Sequence, residues 1–172
     1  VGEMDAARAC LEQALELARR LGDRQGEGNT LCNLGRLHLV QGRLDEAMST
    51  LEQVFPRVRA SSDPAGLGTM CGLAATIAWF RGDAAATMNY AQEQVRIAER
   101  LQTPTLLAGA YDSLGVAYLL GERYHDALEL AERALRIALP SLQRYARRLG
   151  VHPSAADDVV QLTAVVTRRV GT

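Results

Sequence analysis

Apolar residues along this chain fall into runs of helical period separated by short polar turns. In "NTLCNLGRLHLV" the residues Leu31, Leu34, Leu37 and Leu39, with Val40, recur near the spacing of one helix face. Gly42 interrupts the run, and "LDEAMSTLEQVF" resumes it with Leu44, Ala47, Met48, Leu51 and Val54. The pattern predicts two antiparallel helices joined by a tight turn.

The hairpin recurs. Four stretches align without a gap at a spacing of 40 residues: "ARACLEQALELA" from Ala7, "AMSTLEQVFPRV" from Ala47, "TMNYAQEQVRIA" from Thr87 and "ALELAERALRIA" from Ala127. The stretches before the last three align too, from Leu31, Cys71 and Tyr111, and Pro64 and Pro104 each open a first helix. Proline suits that slot because its missing N–H would be unpaired there in any case. One register held through four copies predicts an array of helix pairs. Gly35, Ala75 and Gly115 fall where the helices of each pair would cross, with Ala47 and Ala127 meeting them from the second helix. Glycine inside a helix costs about 1 kcal/mol relative to alanine, so close packing has to offset it.

These residues resemble the tetratricopeptide repeat (TPR) family. Its pattern is met by Leu31, Leu34-Gly35, His38, Gly42 and Ala47, and more fully by Tyr111, Leu114-Gly115, Tyr118, Tyr124 and Ala127. The middle unit departs from it, with Cys71, Ala74-Ala75, Ala78 and Thr87, and the 40-residue spacing exceeds the family's usual 34, as in the extended repeats of bacterial regulators. The resemblance implies an all-α fold: a right-handed α-solenoid of antiparallel helix pairs with a C-terminal capping helical segment. Residues 1–139 hold the second helix of one unit and three full units starting near 25, 64 and 104, and residues 140–172 form the tail.

Because the first unit lacks its first helix, Met4, Ala7, Leu11, Leu15 and Leu21 are expected to have an uncovered flank. Two readings follow: the chain is a piece of a longer array, or two copies cover each other as a homo-oligomer. In such a solenoid the first helices line a concave face. The candidate groove residues are Asn29, Asn33 and Arg36, then Thr76, Trp79 and Phe80, then Asp112, Ser113 and Leu119, with Cys32, Leu39, Thr69, Gly72, Leu73 and Val116 on the same face. Asn33 suits an extended backbone, Arg36 a carboxylate, and Phe80 or Trp79 an aromatic anchor for a protein or peptide ligand. Inter-repeat packing is the competing reading for Trp79, and pairing with a neighbouring acid for Arg36. Family members that clamp an acidic tail draw basic residues and asparagines from three successive first helices. Asn33 and Arg36 fit that pattern, whereas Gly72, Leu73, Thr76 and the acidic Asp112 do not.

Composition narrows the function classes. Net charge is −1, so no global field draws the protein to nucleic acid or membrane, and no apolar run approaches the roughly 20 residues that span a bilayer. The opening "VGEMDAARAC" has acids where a signal peptide needs basic and then apolar residues. All 19 basic residues are arginine, as in a GC-rich bacterial genome, and Cys10, Cys32 and Cys71 read as reduced thiols of a cytoplasmic protein. His38 occupies an aromatic slot of the repeat and His125 a helix start. Glu12, Glu52 and Glu132 recur with the repeat, and no phosphate loop, nucleophile elbow or HExxH occurs. No enzyme, cofactor or metal site is expected.

The tail breaks register at Pro140, and its charge shifts to five arginines against two aspartates. It reads as one helix from about Ser141 to Leu149 and a second from Ala155 to about Arg169. Val159, Leu162, Val165 and Val166 of the second would cap the last repeat. "ARRLGVHPSAADDVV" also looks like a helix-turn-helix, but Asp157 and Asp158 would then face phosphates. Tyr145–Leu149 and Ala156–Gln161 resemble the start of the core domain of extracytoplasmic-function sigma factors, with Leu162-Thr163 departing from that pattern. The expected function is a non-enzymatic protein- or peptide-binding module, the sensor or scaffold part of a bacterial signalling or transcriptional regulator. The alternatives are a transcription-machinery component whose tail contacts RNA polymerase or DNA, and a self-association module.

Overall fold

A computed structural model describes residues 2–60 and 63–148, with side chains as far as Pro140. Seven helices occupy these residues: α1 (Gly2–Leu21), α2 (Arg24–Val40), α3 (Leu44–Ala60), α4 (Pro64–Phe80), α5 (Ala84–Leu101), α6 (Pro104–Leu120) and α7 (Tyr124–Arg148). First helices start at 24, 64 and 104 and second helices at 44, 84 and 124, so the 40-residue period of the sequence is the period of the fold.

The boundaries have local causes. Asp23, Asp63 and Asp83 cap α2, α4 and α5, each carboxylate accepting a hydrogen bond of 2.9 Å from the N–H of the residue three positions on. Pro64 and Pro104 sit in the first turns of α4 and α6 as expected. The turns within the pairs are built alike: the N–H of Arg43, Asp83 and Arg123 donates to the carbonyl of His38, Ala78 and Tyr118, each at 2.9 Å. That closure needs a left-handed residue, and Gly42, Gly82 and Glu122 supply it with φ of 72°, 73° and 58°. At Pro140 the structure differs from the expected break, because α7 runs through it to Arg148. A proline removes one intrahelical N–H and strains the preceding turn, but its own φ is helical, so a long helix can accommodate it. The helix expected from Ser141 is thus the continuation of α7, which also takes in the first residues of the helix-turn-helix and sigma-like stretches as far as Arg148; the rest of those stretches and the expected capping helix, from 149 onward, lie outside the described residues.

Packing follows the repeat. Leu31 and Leu34 of α2, Leu51 and Val54 of α3, and Met70, Ala74 and Ile77 of α4 form one buried cluster. Ala75, Ala91, Tyr111, Leu114 and Leu130 continue it towards α7. A Cβ placed on Gly35 would lie 3.1 Å from Leu51 Cδ2 and 3.6 Å from the Ala47 carbonyl, so the small-residue crossing is real there. At Gly115 the nearest atoms are the Ala127 carbonyl at 3.5 Å and Leu130 Cβ at 3.8 Å, a looser crossing that Ala75 already fills in the middle unit. Among the described residues, the backbones of successive first helices α2, α4 and α6 approach one another closely, while the second helices α3 and α5 meet only through long side chains, Phe55 stacking on Tyr90 at 5.6 Å and Arg59 pairing with Glu93 at 2.7 Å. A stack that converges on one side and splays on the other curves, and α2, α4 and α6 line its inner side.

Candidate binding groove

Three stripes of residues, each spaced 4, 3 and 4 along its helix, form the inner face. On α2 they are Asn29, Asn33, Arg36 and Val40; on α4, Thr69, Leu73, Thr76 and Phe80; on α6, Gly109, Ser113, Val116 and Leu120. The N-terminal halves of α2 and α4 stand apart, and between them opens a hollow of about 1540 Å³. Asn29, Asn33 and Arg36 line it from α2, Thr69 and Leu73 from α4, and the C-terminal part of α3 from Val54 onward forms its floor. The next interval along the array is filled instead. Gln94 of α5, at the repeat position of Val54, is buried beneath Gly72 and Gly109, and a Cβ on Gly72 would meet its Nε2 at 2.6 Å.

Charge in the hollow is organised by a residue the sequence reading did not select. Glu27 accepts a hydrogen bond from Arg19 of α1 at 3.0 Å and pairs with Arg57 of α3 at 2.5 Å, joining three helices. Hydrogen bonding to Arg57, and then to Arg19, holds its carboxyl below the usual carboxylate range. The signal was present: the equivalent positions are Leu67 and Leu107, both packed against the core, so an acid there breaks the repeat. Asp63 is engaged in capping α4. Arg24 and Arg36 line the hollow without an ion-pair partner among the described residues, leaving it with unneutralised positive charge.

The expected site residues separate into groups. Asn29, Asn33 and Arg36 are exposed and share the hollow. Thr76 lies further along α4 and donates its hydroxyl to the Gly72 carbonyl at 3.0 Å, and Ser113 does the same to Gly109 at 2.9 Å. Asp112 is exposed on α6 away from the hollow. Trp79 and Phe80 stand at the C-terminal end of α4, 38% and 58% exposed, with their rings tilted against each other at 4.7 Å. Leu119 is exposed at the same end of α6, as Val40 is on α2, so an apolar rim runs across the first-helix ends. His38 is half-buried with its Nδ1 unpartnered, and burial, followed by the charge of Arg43, lowers its pKa below 6.5. Burial pushes the Cys71 thiol up to about 12, and all three cysteines are free. Among the described residues no cluster of three or more potential metal ligands occurs, and no helix is long and apolar enough to cross a membrane.

Comparison with curated proteins finds no match to the chain. Two family models, both described as Tetratricopeptide repeat, match residues 1–60 and 107–139, which together make up more than half of the chain. Between them lies the unit in which Cys71, Ala75, Ala78 and Thr87 depart from the repeat pattern. With helix pairs in one register, small residues at the crossings and first helices on the inner face, the chain belongs to the tetratricopeptide repeat family.

Proposed function

We propose that the inner face of this array binds an extended segment of a partner protein. TPR arrays generally mediate protein–protein interaction, and the observation that carries the reading here is the hollow between α2 and α4 with Arg24 and Arg36 unneutralised. Asn29 and Asn33 can bond a peptide backbone, Arg36 an acidic group, and Phe80 with Trp79 an apolar side chain at the rim. From Thr69 to Phe80 is eleven helical residues, about 16 Å, which about five residues of extended chain would span. The partner segment would be acidic at one end and apolar at the other. Asp112, Ser113, Thr76 and Leu119 would be peripheral to this contact. The family's role as an interaction module and the scarcity of chemical groups in the hollow favour binding without catalysis. Three free thiols suit a reducing cytoplasm, and the all-arginine basic set suits a bacterial regulator that uses the array as its sensor or scaffold.

The test is affinity capture with the wild type, an Asn33→Ala/Arg36→Glu variant and a Trp79→Ala/Phe80→Ala variant, each shown by circular dichroism to be folded. A partner lost by both variants supports the groove. Equal recovery of every partner by all three overturns it.

A further inference from the structure

The slot of Gln94 is apolar in the other second helices, where it holds Ala14, Val54 and Ala134. On α5 the change carries a polar group into the core, since Gln94 is only 5% exposed. Its Oε1 is buried with no hydrogen-bond partner among the described residues. An amide oxygen left in that state costs free energy that an apolar side chain would not, so packing alone does not account for glutamine here. The residues beside it are small to match. A Cβ on Gly72 of α4 would lie 2.6 Å from Nε2 and 3.1 Å from Oε1, so the amide takes the space that a side chain on Gly72 would fill. From Gly109 of α6 the same Nε2 is the nearest atom of another element, 3.8 Å from the Cβ position. The repeat counterparts of the two glycines, Cys32 and Asp112 for the first and Asn29 and Thr69 for the second, all carry side chains. Gly72 and Gly109 are half-buried, and the amide rises between their helices towards the inner face.

We propose that Gln94 reads the backbone of the bound segment: its amide pairs with the N–H and the C=O of one extended residue that crosses between Gly72 and Gly109. The inference rests on the reading of the inner face as the binding surface, and adds to it a contact outside the hollow between α2 and α4. A primary amide holds a donor and an acceptor side by side, and so does each residue of an extended chain along one edge, as in an antiparallel strand pair. Oε1 accepts from the segment and Nε2 donates to it. The terminal torsion of glutamine is soft, so a small turn brings both atoms to the opening. The glycines matter because the segment has to come within hydrogen-bond distance of an amide that lies level with the helix backbones; a side chain on either helix would hold it away. The path from Thr69 to Phe80 passes this point. Gly72 lies about 4.5 Å along α4 from Thr69 and about 12 Å short of Phe80. About three or four residues of extended chain therefore separate the residue held by Gln94 from the one at the aromatic rim.

The experiment uses the full chain as bait for a library of random peptides displayed on phage. Peptides enriched on the wild type are synthesised, and their affinities are measured by fluorescence anisotropy. Gln94→Leu keeps the bulk and removes the amide, so it should weaken binding about tenfold while raising the urea midpoint, because an unpaired polar group has left the core. Gly109→Ala leaves Gln94 in place: its methyl meets the amide only at ordinary contact distance and favours the helix. Its stability should therefore rise while its affinity falls. A glutamine that only packs would shift stability in the first variant and affinity in neither. Replacing successive peptide N–H groups by ester oxygens should reveal one position that weakens binding to the wild type but not to Gln94→Leu. Peptides weakened by Asn33→Ala/Arg36→Glu that bind Gln94→Leu and Gly109→Ala as tightly as the wild type overturn this inference and leave the groove standing. Peptides indifferent to all three variants overturn both.

Discussion

Single positions in a repeat carry their own controls, because the same structural slot is filled by different residues at known spacing. The slot of His38 holds Tyr118 in the last unit, where the Arg123 guanidinium lies 4.2 Å from the ring centre. Arg43 stands at the position of Arg123, so His38→Tyr should recover that contact and remove an unpartnered buried nitrogen, stabilising by about 0.5–1 kcal/mol. A pH signature accompanies it. The folded state lowers the His38 pKa, so the unfolded chain binds the proton more readily, and stability is complete above the unfolded pKa near 6.5. It falls as pH drops through 6.5 towards the folded value. Thermal melts from pH 7.5 to 5 should show a decline in the wild type that His38→Tyr largely removes. Glu27 contributes in a lower window: its carboxyl is held below 4.5 by Arg57 and Arg19, so its stabilisation is lost as pH falls below 4.5. The left-handed slot of the turns offers a second control. Glu122 holds φ 58° where the other turns use glycine. Glu122→Gly should stabilise and Gly82→Ala destabilise, each by about 1 kcal/mol, as read from urea midpoints; a Cβ on Gly82 would touch nothing, so the second effect is backbone strain alone.

At the scale of helices, the crossing residues of the pairs differ in a way their sequence does not reveal. Gly35 and Gly115 look equivalent, yet only Gly35 is tight. Gly115→Ala should gain most of the roughly 1 kcal/mol of helix propensity, whereas Gly35→Ala must displace the fully buried Leu51 and should be neutral or destabilising. A gap of about 1 kcal/mol between the two variants in denaturant unfolding checks the assignment. The helices themselves were legible because period and punctuation agree: proline at the starts of α4 and α6, glycine in the turns and a strict 40-residue register place the helices of the full pairs. Pro140 was misleading because proline reads as a stop in sequence, while in a helix already four turns long it removes only one bond. The groove was half legible. Asn29, Asn33 and Arg36 follow from first-helix periodicity, but the hollow around them depends on how far α2 and α4 separate, and on Val54 standing where the next unit has Gln94. Those are distances between elements, which helical period does not encode. Glu27 was readable in principle, as the charged exception to Leu67 and Leu107.

Across the whole molecule, stability in a linear stack is a sum of neighbour contacts, so each helix opens according to how many neighbours hold it. α4 is held by α2, α3, α5 and α6, whereas α1 packs on α2 alone among the described residues, reinforced by the Arg19–Glu27 pair. The amides of α1 should therefore exchange with solvent far faster than those of α4 in dilute solution. Glu27→Gln removes the charge that receives Arg19 and also frees Arg57; because the pair is partly exposed, the loss should be well under about 1 kcal/mol and confined to the first three helices. Hydrogen exchange by mass spectrometry would show it as a few-fold faster exchange in α1 with α6 unchanged. Protection of α1 equal to that of α4 in dilute solution would contradict the end-to-end ordering, since it would require a covering contact within one chain that the fold does not contain among the described residues.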